Sequence, residues 1–372
     1  MLHTITARIA LPRGVEVNVR RPRHTTGRQP SVSVVIPCYN YGRYLRTCLQ
    51  SVLDQKGVDV EVVIIDDASP DGSGAVAKQL AEHDARVRAI CHQKNTGHIG
   101  TYNEGLAQAK GDYTLLLDAD DLLTPGCLSR ATSVMESYPS VGMTYGFAPR
   151  CSDTEVPPAR TKAKSWIIWN GHSWIADRCR SGRNVVPQEA VMRTSALHEI
   201  GTDSRSDLPH THDFEMWMRL ATVSDIAYIY GADQAYYRIH DSNMHLGYDS
   251  LGDMKQRLRA FDTIFAERGK LLTGADLLRS TAHRSIAIEA LGYGISMYSR
   301  GVPDQQAVDE YAAFAVETYP DVMQLRDWRM LARLQGTGKH SPRHNLPLII
   351  RERKRNARSS LNWWRLRYAG VY

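Results

Sequence analysis

The chain has 372 residues, 42% hydrophobic and 23% charged, a composition ordinary for a soluble globular protein of two domains or of one large domain with an appendage. Its six cysteines (Cys38, Cys48, Cys91, Cys127, Cys151, Cys179) form no CxxC pair and no zinc pattern, and read as reduced thiols of a cytoplasmic protein. The net charge of +6 is uneven: residues 1–30 hold six Arg against one Glu, residues 339–372 hold nine Lys or Arg against one Glu, and the body between them is acidic. The opening MLHTITARIALPRG has too short an apolar stretch for a signal peptide, and no apolar run approaches the roughly 20 residues of a membrane span.

Residues 1–29, Arg-rich and interrupted by Pro12 and Pro22, read as a basic flexible arm. SVSVVIP (31–37) is a β-branched run ended by Pro37. Leu45, Leu49, Val52 and Leu53 follow at helical spacing. VEVVIID (60–66) is a second strand, a helix over 73–83 leads to a third, VRAIC (87–91), and a helix over 99–110 leads to a fourth, DYTLLLD (112–118). Near-continuous apolar strands alternating with helices predict a mostly parallel sheet covered on both faces. A helix over 125–138 and a strand over 142–147 follow. Residues 150–183 predict a long excursion with a short strand and a helix. VVPQEAVMR (185–193) and IAYIYG (226–231) return to the sheet, and HDFEMWMRLA (212–221) is a helix with Asp213 near its start. From about 250 the pattern turns helical, over 251–268, 275–299, 304–318 and 322–334.

In parallel sheets ligands bind beyond the carboxyl ends of the strands. Pro37 to Asn40, Asp66 and Asp67, Asn95 and Gly97, and Asp118 to Asp121 all follow strands, so they are expected along one edge. The stretch LLLDADDLLTPG (115–126) crowds Asp118, Asp120 and Asp121 together, and like charges this close repel. Mg²⁺ or Mn²⁺ shared between these carboxylates and a diphosphate would neutralise them, since hard oxygen ligands suit both ions. The alternative is a solvated acidic turn.

PCYNYGRYLRTCLQSVLDQ (37–55), VIIDDASPDGS (63–73), NTGHIGTYNEGLAQAKGDYTLLLDADDLL (95–123), HDFEMWMRLA (212–221) and YYRIHDSN (236–243) stand in the order seen in family 2 glycosyltransferases, which the chain resembles over about residues 31–245. The resemblance implies an α/β, GT-A type nucleotide-binding fold over 30–248. It leaves the basic arm 1–29, an α-helical appendage 249–338 and a basic aromatic tail 339–372 outside it.

It also implies roles. Pro37, Tyr39 and Asn40 would line the nucleobase, and Asp67 would accept from uracil N3–H, with Asp66 shaping the turn. Asn95, Gly97, Asp118 and Ala119 would complete the nucleotide site, with Asp118 facing the ribose or the metal. Asp120 would bind the metal, joined by His240, whose alternative is a surface or helix-end histidine. Asp121 is either a third ligand or a cap for the following turn. Arg238 touches a phosphate or pairs with an acidic neighbour. Many relatives carry Arg where this chain has Tyr102 before Asn103, so a phosphate or sugar contact is either missing here or supplied elsewhere, as by Lys94 or His98. They often carry Glu where this chain has His212.

The implied reaction is an inverting displacement at the anomeric carbon of a nucleotide sugar, read as a UDP-sugar, with Asp213 as general base. Its alternative is a plain helix cap, and Glu215 is the second choice of base. Trp166, Trp169 and Trp174, with Gln188 and Glu189, are candidates for the acceptor wall, the alternative being that the tryptophans anchor the excursion. Trp217 reads as core. The tail, with Trp363, Trp364 and Tyr368 among its basic residues, suits an anionic membrane surface on the cytoplasmic side, a homodimer contact or packing on its own acidic body, with nucleic acid a weaker fit. A catalytically silent binding or scaffold protein is the competing function, and a nucleotidyltransferase, which would carry a Gly-rich loop after the first strand, fits less well.

Overall fold

The computed structural model describes residues 17–21, 29–184, 186, 189–241, 243, 249–299, 304–337 and 367. The chain divides into two units. One comprises Met1–Trp174, Val185–Leu246 and Arg367–Gly370, the other Ile175–Asn184, Gly247–Leu366 and Val371–Tyr372.

The first unit is built on β1 (Val17–Arg20), β2 (Ser31–Cys38), β3 (Asp59–Asp66), β4 (Val87–Cys91), β5 (Tyr113–Leu116), β7 (Val141–Phe147), β9 (Ser165–Trp169), β10 (Val191–Arg193) and β11 (Asp225–Asp233). Among the described residues these form one sheet in the order β1-β9-β11-β7-β10-β5-β2-β3-β4. The run β5-β2-β3-β4 is parallel throughout. Beyond it the sheet is mixed: β10 runs antiparallel to both β5 and β7, β11 is parallel to β7, and β9 is antiparallel to β11 and β1. A small second sheet joins β6 (Leu122–Leu123), β12 (Ala235–Arg238) and β8 (Arg150–Cys151) in the order β6-β12-β8.

The parallel half forms because its strands are apolar on both faces. Val32, Val34, Val35 and Ile36 of β2 are fully buried, with Val62 to Ile65 of β3 nearly so. Pro37 is tolerated because pairing of β2 with β5 ends at Val35↔Leu116, so its missing N–H interrupts no ladder on that side. Helix α1 (Gly42–Leu53) buries Leu45, Cys48, Leu49 and Val52, one helical stripe. Helices α2 (Ser73–His83), α3 (His98–Gln108) and α4 (Cys127–Ser137) follow β3, β4 and β6. Helix α3 approaches β2 closely at Gly105, where an added Cβ would sit 2.1 Å from Val35 Cγ1. Helices α5 (Gly171–Ser181), α6 (Thr194–Ile200) and α7 (His212–Ala221) complete the series before β11.

Two expectations are corrected. The arm 1–29 is not flexible throughout: Val17–Arg20 pairs antiparallel with Ser165–Trp169, Val17 opposite Trp169 and Arg20 opposite Trp166. Its Val-Asn-Val-Arg alternation suits an edge strand, and the Arg count concealed it. The rest of the arm, apart from Arg21 and Gln29, lies outside the described residues, as does the tail 339–372 apart from Arg367. The boundary near 248 also misses a segment, since Ile175–Asn184 belongs to the second unit.

That unit is helical. It contains α8 (Ser250–Arg268), α9 (Ala275–Ser299), α10 (Gln305–Thr318) and α11 (Arg326–Thr337), with short 3-10 turns at Gly269–Leu271 and Pro320–Gln324. Phe261, Ile264, Ile286, Leu291, Val308 and Leu331 are buried in it. The Arg257 guanidinium, also buried, is matched by Asp253 and Glu289 and donates to the Gly182 carbonyl. Among the described residues no helix is long and apolar enough to cross a membrane.

The Gly105 contact gives a stability prediction. Gly105→Ala gains about 1 kcal/mol of helix propensity, but overpacking against a β-branched side chain costs about 1–3 kcal/mol. The variant is expected to unfold at a lower urea midpoint with an unchanged m-value. A midpoint at or above that of the parent would show that α3 shifts freely away from β2.

Candidate active site at the carboxyl edge of the parallel strands

Asp67 follows β3 and is only 3% exposed. Its Oδ1 accepts from the Thr96 N–H (2.8 Å) and the Thr96 hydroxyl (3.0 Å) and lies 2.7 Å from His92 Nδ1. Its Oδ2 accepts from the Gly97 N–H at 2.9 Å. His92 Nε2 lies 2.7 Å from Glu104 on α3. Burial alone would raise the Asp67 pKa, but the Thr96 N–H, His92, the Thr96 hydroxyl and the Gly97 N–H together hold it below the ordinary value. Burial would likewise lower His92, yet hydrogen bonds to Asp67 and Glu104 leave it raised. Asp66 turns the chain: its Oδ2 accepts from the Ser69 N–H at 3.2 Å, and Oδ1 is buried without a hydrogen-bond partner. Asn40, at φ 62°, donates its N–H to the Ser69 hydroxyl, so the loops after β2 and β3 are tied together. Asn95 Oδ1 accepts from the Gly97 N–H, and Gly97 itself sits at φ 84°, a conformation that favours glycine.

After β5, one ligand oxygen from each of Asp118, Asp120 and Asp121 lies within 4.8 Å of the others. Each carboxylate has its own hold. Asp118 Oδ1 accepts from the Tyr102 hydroxyl at 2.5 Å. Asp120 Oδ2 lies 2.9 Å from His240 Nε2. Asp121 Oδ1 accepts from the Arg238 N–H at 2.8 Å. Burial and then the neighbouring carboxylates push Asp121 well above the ordinary range. Burial and Asp118 raise Asp120, against the pull of His240. Hard carboxylate oxygens beside one imidazole, raised by mutual repulsion that a cation would relieve, fit Mg²⁺ or Mn²⁺. Asp118, Asp120 and His240 are the residues that would hold the ion.

His240 is positioned from α1. Its ring stacks on Tyr44 at 5.1 Å and meets Tyr41 edge-on at 5.5 Å. Its N–H donates to Asn243 Oδ1, and Asn243 in turn donates to the Arg238 carbonyl. Of the two readings of Arg238, the acidic neighbour is the one seen. Its buried guanidinium donates to the carbonyls of Asp120 and Ser152, pairs with Asp153 and lies 4.9 Å over the Tyr44 ring. Asp121 likewise ties β12 to the loop rather than capping the next turn.

The first turn of α7 carries Asp213, whose Oδ1 accepts from the Phe214 N–H at 2.6 Å. The helix N-cap is Thr211, so Asp213 is not the cap. Asp213 and Asp118 both act electrostatically on His98 and Tyr102, so both carboxylates lie near these rings. Tyr102 lies 4.3 Å from His98 and 5.3 Å from His212, and the two imidazoles are 5.2 Å apart, centroid to centroid. Burial brings both histidines down to about 4, so both are neutral at pH 7. The loop before α7 is tied to α3 by Asn103, which exchanges hydrogen bonds with the Ser204 N–H and carbonyl.

Several sequence-derived assignments are corrected. Trp166 and Trp169 do not form an acceptor wall: they are 1% and 0% exposed, on a strand flanked by β1 and β11, and Trp174 is equally buried. Four consecutive buried residues, Trp166 to Trp169, mark a strand covered on both faces, and SWIIW carries that signal. Glu215 is removed as a base, because it is fully buried and paired with Arg219 at 2.9 Å. Trp217 is core. The Ala119 side chain is also core, leaving only its backbone for a ligand, while Pro37 is buried and Tyr39 is 46% exposed. Lys94 is exposed. Glu189 is buried with Oε1 unpartnered, and burial raises it to about 8; Gln188 lies outside the described residues. Sequence reasoning missed His92 and Thr96. The one signal was a histidine directly after a strand.

Residues 33–201 match the family model for Glycosyl transferase family 2. An uncharacterized glycosyltransferase of Nostoc sp. is 40% identical over 223 residues, 58% of this chain and 66% of the relative. The uncharacterized glycosyltransferase EpsJ of Bacillus subtilis is 36% identical over 131 residues, 35% of this chain and 38% of the relative. The match thus spans 38% to 66% of these relatives' own lengths. In fold, the chain is similar to S. aureus TarS 1–349 in complex with UDP-GlcNAc, with a TM-score of 0.56 at 17% identity over 80% of this chain and 91% of that one. It is also similar to the mannosyltransferase PcManGT of Pyrobaculum calidifontis in complex with GDP-Man and Mn²⁺, with a TM-score of 0.50 at 16% identity over 84% and 86%. At such identities the likeness is one of fold, and the fold is of the GT-A type.

The Asp67–His92–Glu104 chain predicts a pH dependence. A raised folded pKa means that His92 contributes stability fully below its ordinary value of 6.5 and loses it as pH rises through the folded value. Asp67 is lowered, so its contribution is present above its ordinary value of 3.8 and is lost as pH falls through the folded value. The melting temperature is therefore expected to decline above neutrality, and His92→Gln should flatten that decline. An unchanged slope in the variant would remove His92 as its source.

Proposed function

Because residues 33–201 belong to glycosyl transferase family 2, we propose that the protein is an inverting glycosyltransferase. It moves a sugar from a UDP-sugar to an acceptor nucleophile. Asp213 is the general base, and Mn²⁺ or Mg²⁺ is held by Asp118, Asp120 and His240. The observation that supports this reading is that Asp118, after β5, and Asp213, in the first turn of α7, both act electrostatically on His98 and Tyr102. A donor-side carboxylate and a basic carboxylate near one group of side chains fit a direct displacement. Nucleotide-sugar donors in the two solved relatives, and Mn²⁺ in one, support it.

The state of Asp67 supports uracil over guanine. A carboxylate offers about four lone-pair positions. These are two on each oxygen: Oδ1, with three partners, is more than filled, and Oδ2, with one, keeps a single position. Uracil presents a single donor, N3–H, that fits it. Guanine presents adjacent N1–H and N2–H donors that call for both oxygens.

In the reaction the acceptor heteroatom attacks the anomeric carbon from the α7 side and its proton passes to Asp213. The bond from that carbon to the diphosphate oxygen breaks, and its electron pair leaves with UDP. The α7 dipole favours an ionised Asp213 in its first turn. Tyr102 orients Asp118, and Arg238 fixes the loop that carries Asp120. A bound divalent cation supplies Lewis-acid stabilisation of the leaving diphosphate. We further propose that the basic aromatic tail 339–372 meets an anionic membrane surface from the cytoplasmic side, or a second copy of the chain.

Asp213→Asn is expected to bind UDP with Mn²⁺ as the parent does and to lose transfer by about 10²–10⁴-fold. Normal turnover in that variant would remove Asp213 as the base. Asp120→Ala should abolish the Mn²⁺-dependent heat of UDP binding, and GDP should bind the parent more weakly than UDP. Tighter GDP binding would overturn the Asp67 argument.

A further inference from the structure

Resting on the glycosyltransferase reading above, we infer that an open patch at the carboxyl end of β7, built from Phe147, Tyr230, Arg160, Lys164 and Arg367, receives the acceptor and suits one that carries a phosphate or a carboxylate. The register of the sheet puts this patch beside the chemistry. Val191 of β10 pairs with Leu115 of β5 on one side and with Thr144 of β7 on the other. Three residues further along each chain, Phe147 therefore stands level with Asp118, two strand spacings or roughly 10 Å away. Strand β7 is also the one against which α7 packs, with Asp213 in the first turn of that helix.

The patch combines two rings with three cations. Phe147 and Tyr230 lie two residues beyond Tyr145 and Tyr228, whose rings meet at 5.4 Å, so all four side chains share one face of the sheet. Phe147 and Tyr230 are both partly exposed. The guanidinium carbons of Arg160 and Arg367 lie 5.4 and 5.0 Å from the Phe147 ring centroid, and Lys164 Nζ lies 5.8 Å from that of Tyr230. Arg367 comes from the far end of the chain and is held by the Tyr228 hydroxyl, which donates to its carbonyl at 2.9 Å. Asp233 pairs with Arg160 and fixes its direction, leaving 40% of that side chain exposed. Lys164 and Arg367 are exposed, and among the described residues neither has a carboxylate partner. Open ring faces suit the apolar face of a sugar, and guanidinium and ammonium groups suit phosphate or carboxylate oxygens. So few cations, gathered at one strand end beside Asp118, match a small anionic acceptor better than a nucleic acid or a lipid surface.

The test is titration calorimetry of the full chain with Mn²⁺, first with UDP and then, with UDP bound, with glucose, glucose 6-phosphate and glucuronate. The two anionic sugars are expected to bind about tenfold more tightly than glucose, with the difference shrinking as NaCl is raised. Combining Lys164→Ala with Arg367→Ala should remove the difference while UDP affinity and melting temperature stay those of the parent. Combining Lys164→Arg with Arg367→Lys, which keeps both charges, should preserve it. Equal affinities for the three sugars, or a difference that the alanine variant keeps, overturn the inference and leave the nucleotide-sugar reading standing. If the alanine variant instead loses binding to phosphatidylglycerol vesicles with its sugar affinities unchanged, the patch belongs to a lipid surface and the inference is again overturned. Failure of the parent to bind UDP overturns the glycosyltransferase reading and this inference with it.

Discussion

The carboxylates of Asp118, Asp120 and Asp121 repel one another, and the surrounding structure is arranged to hold them together. No single group neutralises the trio. A tyrosine hydroxyl from α3 takes Asp118, an imidazole following β12 takes Asp120, and a backbone N–H of β12 takes Asp121. The Arg238 guanidinium gives its donors to the carbonyls of Asp120 and Ser152 and to Asp153 rather than to the three carboxylates themselves. Compactness at this point therefore depends on β12 having returned to the loop, more than a hundred residues after it in the chain. The small sheet β6-β12-β8 is the device that brings it there.

The same division of labour recurs at Asp67. There a carboxylate is kept ionised by donors from the following strand's loop, and that loop is held in turn by the carboxylate. The two acidic centres differ in direction. Asp67 is lowered by many donors, while burial raises Asp120 and Asp121, with Asp118 adding to the first and Asp120 and Asp118 to the second. The first is complete in itself. The second retains an excess of negative charge that a divalent cation would balance, which is a physical reason to separate base recognition from metal binding along one sheet edge.

Much of the fold was legible because its signals are local. Near-continuous apolar strands alternating with helical stripes carried the parallel half, and the helical spans after residue 250 lie within a few residues of α8 to α10. Strand-end polar residues led to Asp67 and Asp120 because a parallel sheet brings strand ends to one edge whatever lies between them, whereas His240 came only from the resemblance to family 2 glycosyltransferases. The remainder depends on contacts between distant segments. Glu215 looked like a spare carboxylate until its partner Arg219 and the carbonyls beyond it were in view. Trp166 and Trp169 looked like a ligand wall because a tryptophan reads alike in a core and in a cleft. The mixed half of the sheet was obscured by β10, only three residues long, whose antiparallel pairing with two neighbours leaves no periodic trace.

Strand β1 has an implication for how the molecule is handled. It forms the outermost rung of the sheet and covers β9, whose Trp-Ile-Ile-Trp run is among the most apolar in the chain. The region matching the family begins only at residue 33. Trimming the protein to that match would strip the rung away, baring a row of unpaired N–H and C=O groups along a hydrophobic strand. Such a shortened protein would keep every residue of the nucleotide edge and yet offer its flank as a template for edge-to-edge self-association.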